Sequence, residues 1–268
     1  MTNMISPIFH LAKRHWYGLT NSIRVLPDFM LIGSTKSGTT SLYHYLDSHD
    51  ELVAASKKYV GYFDVNYRLG LAWYRSWFQT KINKGKSLSF DATPSYFQFS
   101  WSAKRIAETL PNVKLLLVLR NPTDMSYSKY QAACKKFNLK IPFSDLIEKE
   151  LNDFNEDSMM NLKNIRYNSY ILPNIYVKLL KDWLKYFSLE QMLIFSTEEL
   201  SRNPKQTLYK IFDFLNVAHQ EIDTNYRKNS SGNYPPMEYD VRQRLDSFFK
   251  PYNEELFKLI NQKFDWDK

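Results

Sequence analysis

Three uninterrupted apolar runs mark the chain, at Phe29–Ile32, Leu115–Leu119 and Met192–Phe195. Short runs without polar alternation predict buried strands, and the middle one suits a parallel strand covered on both faces. Between them the apolar spacing turns helical. Leu42, Tyr43, Tyr45 and Leu46 begin a helix that reaches about Asp47. Ile175, Leu179, Trp183 and Phe187 mark a second, over 175–187, and Leu208, Ile211, Phe212 and Leu215 a third, opened by Asn203-Pro204. Weaker patterns predict strands at 51–55 and 87–91. They also predict helices at 70–78, 102–110 (stopped by Pro111), 144–152 and 240–264. Strands alternating with helices call for an α/β fold, a central parallel sheet flanked by helices.

At 268 residues the chain suits one domain whose core is large enough for a substrate pocket. No internal repeat, low-complexity stretch or Gly/Ser linker divides it. The domain is expected over 27–268, behind a basic amphipathic extension at 1–26 that carries Lys13, Arg14 and Arg24 among Ile8, Phe9, Leu11, Trp16, Tyr17 and Leu19. The extension has no continuous apolar core and no small-residue cleavage site, which argues against a signal peptide. It reads either as a helix packed on the domain or as a weak peripheral contact with an anionic membrane.

Composition narrows the chemistry. Aromatic residues make up 16% of the chain, with 19 Tyr and 18 Phe, which serves a core and rings lining a pocket. The net charge of +8 favours anionic ligands. The basic residues are dispersed and no recognition motif appears, so nucleic acid is not an expected partner. A single cysteine, Cys134, excludes an internal disulfide and any zinc site built from several cysteines, and suits a reducing cytoplasm. No apolar run approaches the roughly 20 residues of a membrane span, and no metal-ligand spacing is present.

The first apolar run continues as Gly33-Ser34-Thr35-Lys36-Ser37-Gly38-Thr39-Thr40-Ser41-Leu42. Strand, glycine-containing loop and helix in this order point backbone N–H groups at a phosphate. Lys36 adds a cation, and Ser37, Thr39, Thr40 and Ser41 add hydroxyls. A Walker A loop would need Gly-Lys-Ser/Thr after its spacer; here Gly38 stands before Thr39 and the lysine lies inside the loop. The stretch resembles the 5′-phosphosulfate loop of the sulfotransferases that use 3′-phosphoadenylyl sulfate (PAPS).

The resemblance to that family, in its bacterial and carbohydrate-type branch, extends from about Pro27 to Asn261. It is carried by the loop, Phe63-Asp64, Gly70-Leu71-Ala72-Trp73-Tyr74, Asp91-Ala92-Thr93-Pro94-Ser95-Tyr96 and Leu119-Arg120-Asn121-Pro122 with Ser128 and Tyr130. Trp183-Leu184, Glu199-Leu200 with Pro204, Tyr234-Pro235-Pro236-Met237 and Phe249-Lys250-Pro251-Tyr252-Asn253 continue it. It implies a P-loop-NTPase-like sulfotransferase fold, PAPS as sulfate donor, PAP as product and no metal. It implies a donor site built from Lys36, Ser37, Gly38, Thr39, Thr40 and Ser41, with Arg120 and Ser128 on the 3′-phosphate and Ser126 as a rival to Ser128. Tyr176, seven residues before Trp183, resembles an adenine-side residue. Lys228, Ser231 and Gly232 resemble a closing loop, in which Asn233 replaces the family's basic residue and leaves the charge to Arg227 or Lys228. Lys36 is expected to neutralise the leaving oxygen during in-line transfer.

One departure concerns the proton. After Lys57-Lys58 the family carries Glu, then an aromatic stretch with His that ends in Phe-Asp. This chain has Tyr59, Gly61 and Phe63-Asp64. A tyrosine near its ordinary pKa of about 10 is a poor base. Asp64 is the first candidate base and Asp91 the second, each with a structural alternative; Tyr59 is the third catalytic candidate, and His44 is taken as structural or surface. The expected acceptor is a hydroxyl or amine of a carbohydrate or small-molecule natural product. A nucleotide kinase and a nucleotide- or anion-binding relative with altered catalysis remain as alternatives.

Overall fold

The computed structural model describes residues 20–154, 169–225 and 234–266. The sheet strands are β1 (Phe29–Gly33), β2 (Leu52–Ala54), β3 (Leu88–Ala92), β4 (Lys114–Leu119) and β5 (Met192–Ser196). The α-helices among the described residues are α1 (Thr39–Asp47), α2 (Gly70–Arg75), α3 (Lys81–Lys84), α4 (Ser100–Thr109), α5 (Pro122–Phe137), α6 (Phe143–Asn152), α7 (Tyr176–Trp183), α8 (Thr197–Arg202), α9 (Pro204–Leu215) and α10 (Tyr239–Ile260). The strands run parallel in the order β2-β3-β1-β4-β5.

Strand pleating sends successive side chains to opposite faces, and this divides the core in two. Met30, Ile32, Leu115, Leu117, Leu119 and Ile194 face a cluster with Ile106, Leu179, Trp183, Leu245 and Phe249 from α4, α7 and α10. Phe29, Leu31, Leu116, Val118 and Phe195 face the other, with Leu42 and Leu46 of α1 and Leu208, Ile211, Phe212 and Leu215 of α9. Both faces are covered, which is why the long strands read as continuous apolar runs.

The order of strands reverses between β1 and β4, and open α/β sheets bind ligands in the crevice beyond the carboxyl ends at such a point. The Ser34–Gly38 loop follows β1 there and Arg120 follows β4. Gly33 is required by close packing: a Cβ on it would lie 2.7 Å from the Cβ of Phe97. α5 begins where Pro122 takes the first helical position and the Asn121 side chain accepts from the N–H groups of Thr123 and Asp124.

Some boundaries differ from expectation. The 175–187 periodicity yields a helix only to Trp183, and the 240–264 region ends at Ile260, where Asn261 turns left-handed at φ 49°. α8 lies in no predicted element; Ser196 starts it by accepting from Glu199 N–H. Of the extension, residues 1–19 lie outside the described residues. Arg24 ties its end to the domain through a bridge to Thr80 and a side-chain bond to the Phe78 carbonyl.

Candidate active site

The β1–α1 loop is shaped to leave donors free. Lys36 (φ 64°) and Gly38 (φ 77°) both adopt left-handed backbone, a conformation that glycine takes without penalty and lysine does not. Gly38 is the N-cap of α1 and no side chain caps it. The first N–H groups of that helix therefore have no partner within it and face the crevice with the positive end of the dipole. Ser37 and Thr39 are buried, and the Ser34 and Ser37 hydroxyls bond each other at 2.6 Å.

Two cations converge on this loop. The Arg120 Nη1 donates to the Lys36 carbonyl oxygen at 3.5 Å. Burial, and then the Arg120 guanidinium beside it, hold the Lys36 ammonium below the usual lysine range. Among the described residues neither side chain forms a salt bridge. Two neighbouring cations, half-withdrawn from water, suit an anion of more than one charge.

The two serines of α5 separate clearly. Ser126 is consumed by the fold: its Oγ donates to the Pro122 carbonyl at 2.8 Å and accepts from Asn174 Nδ2 at 2.7 Å. Ser128, also buried, lies two positions on and so on the opposite side of the helix. Tyr176 is 1% exposed, and its hydroxyl donates to the Arg120 carbonyl oxygen at 3.0 Å; burial pushes its pKa up. The structure thus places Tyr176 in the wall behind Arg120. Trp183 is fully buried, its Nε1 donating to the Phe97 carbonyl at 3.1 Å. Lys228, Ser231 and Gly232 lie outside the described residues.

The 57–64 segment borders the loop through Lys58, whose Nζ donates to Thr40 Oγ1 at 2.7 Å and sits 4.9 Å from the Tyr59 ring centre. Tyr59 is 46% exposed and left-handed at φ 60°. Asp64 is half-buried; it accepts from Ser95 Oγ and from Val65 N–H, both at 2.6 Å. Asp91 is 0% exposed. It accepts from Tyr74, Tyr96 and Thr93 at 2.9, 3.0 and 2.8 Å. Burial pushes its pKa up to about 6 against those three bonds. The two carboxylates therefore sit in unlike places, Asp64 at a partly open edge and Asp91 sealed beneath it.

Sequence reasoning missed three residues that shape the loop. Thr197 Oγ1 meets the carbonyls of Ser37 and Leu119, each at 3.0 Å, and so joins the ends of three strands. Gln98 Nε2 donates to Thr35 Oγ1 at 2.9 Å, and Lys58 reaches Thr40. Thr197 stands directly after a strand, the same signal that marked Arg120. Lys58 stands beside the altered glutamate position.

A parallel α/β sheet whose reversal point carries an uncapped helix N-terminus and paired cations is an arrangement that suits a phosphate- or sulfate-bearing ligand. Comparison with known proteins gives that class a family. The model of the sulfotransferase domain matches residues 26–249, and the chain belongs to that family. It is 27% identical to the membrane-associated sulfotransferase kil1 of Dictyostelium discoideum, over 90% of this chain and 66% of that protein. It is 28% identical to the bifunctional heparan sulfate N-deacetylase/N-sulfotransferase 3 of Homo sapiens, over 88% of this chain and 30% of that one. The chain thus spans from under a third to about two thirds of the length of these relatives. The crystal structure of a sulfotransferase from Alicyclobacillus acidocaldarius shares the fold, with a TM-score of 0.72 at 24% identity over 91% of this chain and all of that one. No described helix is long and apolar enough to cross a membrane.

Proposed function

We propose that the protein moves the sulfuryl group of PAPS to a hydroxyl or amine of a carbohydrate or small-molecule acceptor. The observation that carries this reading is the pair of adjacent cations, Lys36 and Arg120, which no salt bridge neutralises among the described residues, over an uncapped helix N-terminus. PAPS brings an activated sulfuryl group and several negative charges, and its transfer leaves PAP. The α1 N-terminus and its hydroxyls hold the 5′ side. Arg120 and Ser128 hold the 3′-phosphate, a guanidinium matching phosphate oxygens two at a time. Lys36 stabilises the charge that grows on the leaving oxygen. Asp64 takes the acceptor proton from the edge of the crevice, with Tyr59 contacting the acceptor. The names of the relatives, which include enzymes acting on heparan sulfate, favour a carbohydrate acceptor, and the single cysteine favours a reducing compartment such as the cytoplasm.

Calorimetry with PAP and AMP tests the nucleotide. PAP binds more tightly, and Arg120→Ala removes about 1.5–3 kcal/mol of that preference, the worth of a charged hydrogen-bond pair. Equal affinities for the two nucleotides in the wild type refute the assignment. Labelled-sulfate transfer across sugars and small metabolites then finds the acceptor, with turnover unchanged by magnesium, where a nucleotide kinase would require it.

A further inference from the structure

Asp91, the penultimate residue of β3, lies beneath the segment that carries Tyr59 and Asp64, and its sealed position keeps it from any substrate. Its carboxylate is instead the terminus of a hydrogen-bond fan. Tyr74 and Tyr96 donate to Oδ2, and Thr93 donates to Oδ1. Two of these hydroxyls also receive the neighbouring backbone. Gly61 N–H donates to Thr93 Oγ1 at 3.3 Å, Tyr62 N–H to the Tyr96 hydroxyl at 2.8 Å, and Phe63 N–H to the same oxygen at 3.4 Å.

The direction of every proton in this fan is set from its centre. A hydroxyl has one proton and two lone pairs, whereas an ionised carboxylate only accepts. Asp91 therefore draws the Thr93 and Tyr96 protons inward and turns their lone pairs toward the loop amides. A protonated or amide group there would present a donor of its own. Where that donor faced Thr93 or Tyr96, the displaced hydroxyl proton would turn outward to face a loop N–H, donor against donor. The segment needs such holding at Tyr59, which sits at φ 60°, a backbone shape that a residue other than glycine keeps only when its surroundings enforce it.

We propose that Asp91 is a positioning residue: an acceptor-only anchor that, through Thr93 and Tyr96, fixes the backbone of 61–63 and with it the placement of Tyr59 and Asp64. That this placement serves sulfuryl transfer rests on the function proposed above; the anchoring itself does not. The ionisable groups acting on Asp91 are Tyr74 from α2, Tyr96 after β3 and Asp64 across the segment. Burial and the Asp64 charge favour the protonated form and the hydroxyl bonds oppose them, so Asp91 ionises at about 6 and the anchor is set at neutral pH.

Hydrogen exchange of the Gly61, Tyr62 and Phe63 amides tests the anchor without any substrate. In Asp91→Asn these three exchange about tenfold faster at neutral pH, as for a locally loosened segment, while amides of β1 and β4 stay within about twofold. In the wild type, after correction for intrinsic rates, their protection rises through about pH 6, and in Asp91→Asn that step is absent. Tyr96→Phe keeps the carboxylate but removes the acceptor of Tyr62 N–H; it also speeds exchange, and it decides the matter should Asp91→Asn not fold. Unchanged loop exchange in a folded Asp91→Asn overturns the proposal. So does a variant that loses turnover with its loop protection intact, which would give Asp91 a direct proton role. A failed sulfotransferase reading has a different signature: no PAP binding or transfer by the wild type, with the exchange result unaltered.

Discussion

Lys36 holds its charge where burial and the Arg120 guanidinium both oppose it. Such a charge is an economical donor to a developing anion, since no reorganisation is needed when the anion forms. Lys36→Met is expected to lower kcat by ~10²–10³-fold, the loss typical of one such contact, while PAP affinity changes far less. Steady-state kinetics beside calorimetry checks this split; an unchanged kcat with a raised KM would make Lys36 a binding contact only. The proton side is read the same way. Asp64 keeps a partly open position with two hydrogen-bond donors, and Tyr59 is more exposed, beside the Lys58 ammonium. Asp64→Asn is expected to lose most of kcat at near-normal PAP affinity, and Tyr59→Phe to act more weakly, on acceptor KM. Full activity in Asp64→Asn, or a folded but inactive Tyr59→Phe, would transfer the base role to the tyrosine.

At the scale of elements, the β1–α1 loop is held by its neighbours more than by itself. Thr197, at the start of α8, bonds the carbonyl oxygens of Ser37 and Leu119 and so fixes the loop to the end of β4. Thr197→Val keeps the shape but removes the one hydroxyl proton that those two carbonyls share, at an expected cost of about 1–3 kcal/mol in urea unfolding and a weaker PAP affinity. A change in stability without one in PAP affinity would mean that Thr197 supports the sheet alone. The strands were legible in the sequence because each long one is covered on both faces and carries an unbroken apolar signal. The helix ends were not, for a particular reason. Phe187 is 3% exposed although α7 stops at Trp183, because a turn carries it back into the same core. Phe264 and Trp266 do likewise beyond α10. Apolar spacing records what is buried, and burial continues past the last helical bond.

For the whole molecule, Asp91 sets a cost that changes with pH. Its pKa is raised to about 6 in the fold, above the unfolded value. A group shifted in that direction contributes stability that is fully present below the unfolded pKa and is lost as pH rises through the folded one. Relative to Asp91→Asn, which cannot ionise, the wild type should lose on the order of 3 kcal/mol of unfolding free energy between about pH 4 and pH 6. Urea unfolding of both proteins across that interval measures the difference. A constant difference would mean that the carboxylate does not change charge inside the fold. The ionised anchor thus orders the 61–63 backbone at the expense of global stability, a balance often found near functional sites.

Adjacent residues alone determined the parallel α/β class, the strand–loop–helix with Lys36 inside its loop, and Arg120 at a strand end. Each is written in contiguous spacing, which local backbone geometry converts directly into a strand, a loop or a helix start. Partners distant in sequence decided the rest. Asn174 engages Ser126 across 48 positions, Arg120 gains the Tyr176 hydroxyl across 56, and Ser37 gains Thr197 across 160. Asp91 and Asp64 looked alike along the chain, as carboxylates in matching motifs. Only the packing of α2 and Tyr96 over β3 sealed one of them and left the other at the edge. Burial and hydrogen-bond partners belong to the folded arrangement, and no local pattern encodes them.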